Sequence, residues 1–169
     1  MKTLVVYYSR TGHTRQLAER LARDLDADLA PITELRGRQG LAGYQRSLRD
    51  VLWGRDVPIQ PLRRNPAQYD LVLVGTPVWA WRVAAPVRAF ARRHGRSVRR
   101  TAFFCTARGS GQRSALDELR RLMGRLPVAE LALSEAELLR LGRADVRAKI
   151  RQFTDRLRQA DTAPLRAAA

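Results

Sequence analysis

An apolar run, Leu4-Val5-Val6-Tyr7-Tyr8, ends abruptly in a segment of hydroxyl residues and a glycine, Ser9 to Thr14. β-Branched and aromatic residues in such a run are typical of a buried strand, and a helical pattern begins soon afterwards, at Leu17. This order predicts a strand, a loop of phosphate size and a helix. Such a loop offers backbone N–H groups and the positive end of a helix dipole to an anion. Taken alone, it fits a capped turn that binds nothing equally well.

A second loop of interest follows the most apolar strand of the chain. Four consecutive aliphatic residues, Leu71 to Val74, are bounded by Asp70 and Gly75, a pattern typical of a central parallel strand that is covered on both faces. The next helix is expected to begin near Pro86 and to end with Gly95 as a left-handed cap. Trp79 and Trp81 therefore lie in the loop before it. Loops at the carboxyl ends of parallel strands bind ligands, and exposed indoles offer a flat surface to a planar heterocycle. We therefore interpret both tryptophans as ligand contacts rather than core.

A third loop of the same kind follows the strand predicted over Thr101 to Thr106. It reads Ala107-Arg108-Gly109-Ser110-Gly111, and a capping box at Ser114 to Asp117 predicts the helix after it. Cys105 is expected to be a small buried core residue. Three glycine and hydroxyl loops after strands one, three and four would meet at a single crevice of a doubly wound sheet.

The remaining elements complete an α/β alternation. They are helix 1 with its apolar stripe from Leu17 to Leu25, an edge strand over residues 27–33, a helix over residues 37–53, a strand over residues 127–133, a short helix with a capping box at Ser134 to Glu137, and a last helix over residues 146–157. We expect one doubly wound domain over residues 1–160, built on a five-stranded parallel sheet with helices on both faces. Residues 161–169 are expected to form a flexible tail.

The charge of the chain is unusual. It carries 32 basic and 16 acidic residues, a formal net charge of +16, which first suggests a nucleic-acid or membrane surface. The basic residues, however, are 30 arginines and two lysines scattered over every predicted helix, whereas a binding footprint should cluster on one face. We interpret the charge as composition bias, which disfavours nucleic acid as a partner.

The sequence also argues against several other classes of protein. A single cysteine and two separated histidines predict neither an internal disulfide nor a metal site. The apolar run before Ser9, Leu4 to Tyr8, has only five residues, too few for a secretory signal, and no apolar run approaches the roughly 20 residues of a membrane span. We therefore expect a cytoplasmic protein.

The loops resemble those of a known family. The spacing of Ser9, Thr11, Gly12 and Thr14 is similar to the FMN-phosphate loop of flavodoxin-like proteins, and the run Gly75 to Trp81 is similar to their second flavin-contacting loop. The resemblance spans residues 3–158 and implies the strand order 2-1-3-4-5 and FMN as the cofactor. The site residues that it implies are Ser9, Arg10, Thr11, Gly12, His13, Thr14, Thr76, Pro77, Val78, Trp79, Trp81, Thr106, Arg108, Gly109, Ser110 and Gly111.

The resemblance also implies how the three loops divide the cofactor between them. The first loop would hold the phosphate, with His13 at its variable position and expected to face solvent. Residues 76–79 would border the flavin, with Trp81 over or beside it, and backbone N–H groups of the third loop would hold the pyrimidine edge. No catalytic side chain and no metal ligand is predicted, because the cofactor supplies the redox chemistry.

Three functions fit these expectations. The first is an FMN-binding redox protein that mediates electron transfer, with a partner protein or a small-molecule acceptor. The second is an FMN-dependent reductase or dehydrogenase of the NAD(P)H/quinone type. The third is a basic binding module that has the fold but no flavin, and we rank it last because the hydroxyl and tryptophan loops would then be idle.

Net charge is the main departure from the family. Electron-carrier flavodoxins are typically acidic, whereas this chain is strongly basic, which puts the usual basic redox partner in doubt. Full reduction tends to add negative charge near N1 of a flavin, and Arg82 and Arg108 in the flanking loops would favour that charge. We therefore expect a higher reduction potential than in acidic flavodoxins.

Overall fold

The computed structural model describes residues 1–35 and 57–162, which form a parallel sheet with helices on both faces. The strands are β1 (Thr3–Tyr7), β2 (Asp28–Pro31), β3 (Leu71–Trp79), β4 (Arg82–Val83), β5 (Thr101–Ala107) and β6 (Glu130–Ser134). The helices are α1 (His13–Leu25), α2 (Ala85–His94), α3 (Gln112–Met123), α4 (Glu135–Leu138) and α5 (Ala144–Thr162), with 3₁₀ turns at Pro66–Gln68 and Gly95–Ser97.

The order of the strands confirms the predicted architecture. The parallel strands run β2-β1-β3-β5-β6, and the short β4 pairs antiparallel with the end of β3. With β4 set aside, this is the expected order 2-1-3-4-5. The helix expected over residues 37–53 lies outside the described residues, as does most of the expected tail. None of the described helices is long and apolar enough to cross a membrane.

Alternation along the central strands divides the core into two layers, because successive side chains of a strand point to opposite faces. Residues with the same orientation share a layer with the helices on that face of the sheet. One layer combines Val6, Val74 and Phe103 with Phe90 of α2 and Leu119 of α3. The other combines Val5, Leu73 and Phe104 with Leu17 of α1 and Phe153 of α5. Both layers are buried, so the carboxyl ends of the strands are held by packing from both sides.

Cys105 is buried in the first layer, as expected. Burial, together with the nearby charge of Glu130, raises the pKa of its thiol to about 12. The thiol therefore stays protonated and unreactive at neutral pH.

Two helix ends differ from the sequence-based expectation. Gly95 was expected to be a left-handed cap, yet it has right-handed helical angles, φ −54° and ψ −39°. A Cβ atom there would lie 3.0 Å from Cα of Met123, so the close approach of α3 accounts for the glycine. The capping box expected at Ser114 is also wrong, because the N-cap residue of α3 is Gly111, three residues earlier, with no side-chain cap.

The second predicted capping box is confirmed. Ser134 Oγ accepts a hydrogen bond from the backbone N–H of Glu137, and the Glu137 carboxylate accepts one from the N–H of Ser134. Burial alone would raise the pKa of Glu137, but hydrogen bonds from Lys149 and from Ser134 outweigh it and lower that pKa to about 2. These contacts fix where α4 begins.

Because the pKa of Glu137 is lower in the folded protein than the usual value near 4.3 of an unfolded chain, its ionised form stabilises the fold above about pH 4.5. That stabilisation is lost as the pH falls towards 2. We predict that Glu137→Gln lowers the free energy of unfolding by about 1–2 kcal/mol at pH 7, because it removes the charge that Lys149 and Ser134 stabilise, although the Gln amide oxygen can still accept the hydrogen bond of the capping box. The variant should also lose less stability than the wild type between pH 5 and 3. Urea unfolding at pH 7, 5 and 3 measures both effects, and equal acid sensitivity of the two proteins would contradict the prediction.

Candidate functional site

Three loops meet at the carboxyl edge of the sheet and enclose a cleft of about 470 Å³. The loops follow β1, β3 and β5, which are neighbours in the sheet. The residues that line the cleft are Arg10, Thr11, His13, Thr14, Pro77, Val78, Trp79, Ala80, Thr106, Arg108 and Glu135. This size is within the range of clefts that hold small organic ligands.

The first loop leaves the N-terminus of α1 without a side-chain cap. Gly12 is the N-cap residue, with φ +96°, and no side chain bonds to the first amides of the helix. Those N–H groups are therefore donors for an anion. Ser9 Oγ accepts a hydrogen bond from the N–H of Gly12 at 3.2 Å and tightens the loop. Ser9 and Gly12 face a neighbouring cleft of about 540 Å³, to which Arg10 and Thr11 also contribute.

The second loop is a tight hairpin between β3 and β4. Trp79 pairs with Arg82, and the two residues between them, Ala80 and Trp81, have left-handed φ angles of 48° and 61°. Two-residue hairpins favour left-handed φ angles, usually at asparagine or glycine. In other residues these angles strain the backbone. The surrounding protein must therefore hold this turn in place.

Two hydrogen bonds anchor the chain just after that turn. The N–H of Val83 donates to Glu118 Oε2 at 3.0 Å, which ties the hairpin to α3. The N–H of Ala84 donates to Thr76 Oγ1 at 3.1 Å, and this hydroxyl in turn donates to the carbonyl of Pro77. Thr76 is fully buried, so it supports the loop from beneath and does not form the wall of the cleft.

The two tryptophans have different roles in this arrangement. Trp79 lines the cleft and meets Tyr8 edge to face, with ring centroids 5.9 Å apart. Trp81 is 61% exposed, and its Nε1–H donates to Ser110 Oγ at 3.1 Å. A Cβ atom on Gly111 would lie 2.7 Å from the Trp81 ring. Trp81 thus joins the second loop to the third and is not part of the described wall of the cleft.

A buried pair of hydroxyls joins the first loop to the third. Thr14 Oγ1 and Thr106 Oγ1 lie 2.8 Å apart, and both residues are almost completely buried. The hydroxyl of Thr14 was expected to serve a phosphate, whereas here it bonds to Thr106. The contact brings together two segments that are 92 positions apart in the chain.

The sequence analysis missed two residues of the cleft, Ala80 and Glu135, and the charged one is Glu135. It is the first residue of α4, and its Oε1 lies 3.3 Å from Nδ1 of His13. Its Oε2 lies 3.3 Å from Nε of Arg108, whose side chain is otherwise 90% exposed. The available signal was its place directly after Ser134, at the carboxyl end of the last strand, where the other site loops also lie.

Nine of the sixteen expected residues line the cleft. They are Arg10, Thr11, His13, Thr14, Pro77, Val78, Trp79, Thr106 and Arg108. The other seven, which support the loops or lie beside them, are Ser9, Gly12, Thr76, Trp81, Gly109, Ser110 and Gly111. In the described part of the chain, no group of three or more His, Cys, Asp or Glu side chains could hold a metal ion.

The contact between Trp81 and Gly111 can be tested through the stability of a Gly111 variant. Because Gly111 has φ +102° and lies against the Trp81 backbone and ring, Gly111→Ala should lower the free energy of unfolding by about 1–3 kcal/mol through strain and overpacking. Gly109→Ala is the matched control, since no atom lies within 4 Å of its Cβ position. Urea unfolding of both variants measures the difference. Equal stability of the two would contradict the described contact.

Comparison with solved structures places this fold among flavoproteins. A candidate flavoprotein from Bacteroides eggerthii DSM 20697 matches with a TM-score of 0.70 and 24% identity, over 91% of this chain and 96% of that one. The flavoprotein from Lactobacillus acidophilus NCFM, solved in complex with FMN, matches with a TM-score of 0.64 and 23% identity, over 84% and 99%. An NADH:FMN oxidoreductase in its apo form matches with a TM-score of 0.57 and 16% identity, over 97% and 92%. At these identities the likeness is one of fold.

Sequence comparison assigns the family. A search of curated proteins found no match to this chain. The family model described as flavodoxin, in contrast, matches residues 2–140. That match covers the whole sheet and the three loops of the cleft. The chain therefore belongs to the flavodoxin family.

Proposed function

We propose that this protein binds FMN in the three-loop cleft and uses it to mediate electron transfer. The observation that carries the proposal is the convergence on one cleft of the uncapped N-terminus of α1, the wall that contains Trp79, and the third loop at Arg108. Membership of the flavodoxin family supports it, as does the structural likeness to an FMN-bound flavoprotein.

The residues present fit the parts of FMN. The amides at the start of α1, together with the hydroxyl of Thr11, the guanidinium of Arg10 and the imidazole of His13, suit the phosphate. The wall formed by residues 77–79 offers apolar and aromatic surface for the ring system. When bound, the flavin would supply the electron or hydride chemistry, while the protein binds it, orients it and sets the surrounding charge.

The first test is an absorption spectrum of the purified protein, with FMN added if it is colourless. We expect flavin bands that are shifted from those of free FMN, because the ring would leave water for an aromatic wall. Protein that does not bind FMN at either low or high salt would contradict the proposal. In that case, salt-sensitive binding of nucleic acid would favour the basic binding module instead.

The charge of the loops favours an anionic partner. The segments 9–15, 77–82 and 107–113 carry Arg10, Arg15, Arg82, Arg108 and Arg113, and none of them contains Asp or Glu. At the amino ends of the strands, arginines form ion pairs with aspartates. There Arg64 pairs with Asp28 at 3.0 Å, and Arg99 with Asp70 at 3.8 Å. We propose that the redox partner or acceptor is acidic, in contrast to the basic partner usual for acidic flavodoxins.

The same cations favour a second candidate function, an FMN-dependent reductase. NADH and NADPH are anionic, and a basic rim would attract their phosphates. Anaerobic mixing of the FMN-loaded protein with NADH or NADPH separates the two candidates. Rapid bleaching of the flavin bands would favour the reductase. Slow bleaching, together with reduction by single electrons in a stepwise chemical titration, would favour the electron carrier.

Arg108 provides a test of charge at the cleft. We predict that Arg108→Ala lowers the reduction potential of the bound flavin, because a cation that favours the added negative charge is removed. The expected shift is roughly 10–30 mV, since about 30 mV corresponds to 1.4 kcal/mol for a two-electron couple, and solvent screens a side chain that is 90% exposed. Arg151→Ala, on the exposed side of α5, is the matched control. Equal potentials in the wild type and Arg108→Ala would contradict the prediction.

A further inference from the structure

Glu135 is held rigidly at the edge of the cleft. It begins α4 directly after β6, and the reciprocal hydrogen bonds between Ser134 and Glu137 define that start. Its own side chain takes no part in this capping box. A substitution that keeps the shape of Glu135 therefore changes the charge of the cleft without removing a helix cap.

The carboxylate of Glu135 joins two loops that are far apart in the chain. One oxygen lies 3.3 Å from His13 Nδ1 in the first loop, and the other lies 3.3 Å from Arg108 Nε in the third. Arg10 is the other cation among the described lining residues, and Glu135 is the only carboxylate among them. One negative charge is thus shared between two of the three groups in this wall that can carry positive charge.

We infer that Glu135 is a positioning residue that sets how strongly the cleft attracts the phosphate of its ligand. It draws His13 and Arg108 towards itself and places a negative charge beside the anion site. Both effects oppose the binding of a phosphate, and neither acts on an uncharged ligand. The inference rests on the proposed function, because it takes the ligand to be FMN.

A comparison of FMN with riboflavin isolates this effect. The two molecules share the ring and the ribityl chain and differ in the phosphate. A merely structural defect would weaken the binding of both, whereas a change in charge at the anion site alters only FMN. The decisive quantity is the ratio of the two dissociation constants, riboflavin over FMN, measured on apoprotein by fluorescence titration.

We expect this ratio to rise about 3- to 10-fold in Glu135→Gln, as a screened interaction of unit charges near a protein surface allows. Arg108→Gln should lower it. The substitution is repeated in a His13→Gln background, which isolates the contact of Glu135 with Arg108, and the ratio should again rise there. Asp155→Asn is the charge control, because Asp155 lies on α5 next to Arg158, which contacts the C-terminal end of α1. Its ratio should stay at the wild-type value.

The outcomes separate this inference from the proposed function. If wild-type protein binds neither flavin, both are overturned. If it binds FMN but the ratio in Glu135→Gln equals that in Asp155→Asn, or falls, only the role of Glu135 is overturned. A rise in the single variant that is lost in the His13→Gln background would also overturn it, since Arg108 should still be released there. Glu135→Asp, which keeps the charge, should return the ratio towards the wild-type value.

Discussion

The buried hydrogen bond between Thr14 and Thr106 is the constraint on which the cleft depends. It fixes the N-terminus of α1 against the end of β5 at 2.8 Å between oxygens. Since both hydroxyls are shielded from water, losing one would leave the other unpaired, at a cost of about 1–3 kcal/mol. His13 and Arg108 lie within two residues of this pair, and Glu135 contacts both of them.

The strands and the three loops could be predicted from sequence because their signals are local. The aliphatic runs of β1 and β3 are typical of buried strands. Hydroxyl and glycine residues directly after them indicate where ligand-binding loops begin. The capping box of Ser134 and Glu137 is equally local, and it was confirmed. For such features, the residues that determine the structure are neighbours in the chain.

The features that sequence reasoning missed depend on contacts between distant segments. Gly95 is the C-cap residue of α2 but lacks the expected left-handed conformation, and the close approach of Met123 from α3 explains why a glycine is there. The left-handed turn of Ala80 and Trp81 has none of the usual turn residues, and distant anchors hold it. Glu135 lies within the segment of the capping box but takes no part in the box, and its role in the cleft follows from contacts with side chains more than 25 positions away. No local pattern encodes these contacts.

The position of β1 inside the sheet has a consequence for how the protein folds during synthesis. This first strand pairs with β2 soon after it emerges, but its other neighbour is β3, whose pairing begins at Thr3 with Leu71. Until β3 has left the ribosome, β1 exposes one open edge, and long-range parallel pairing of this kind is slow to form. The first loop gains its contact with the third loop later still, because Thr106, the partner of Thr14, lies at the end of β5. The three loops of the cleft can therefore meet only after β5 has been made.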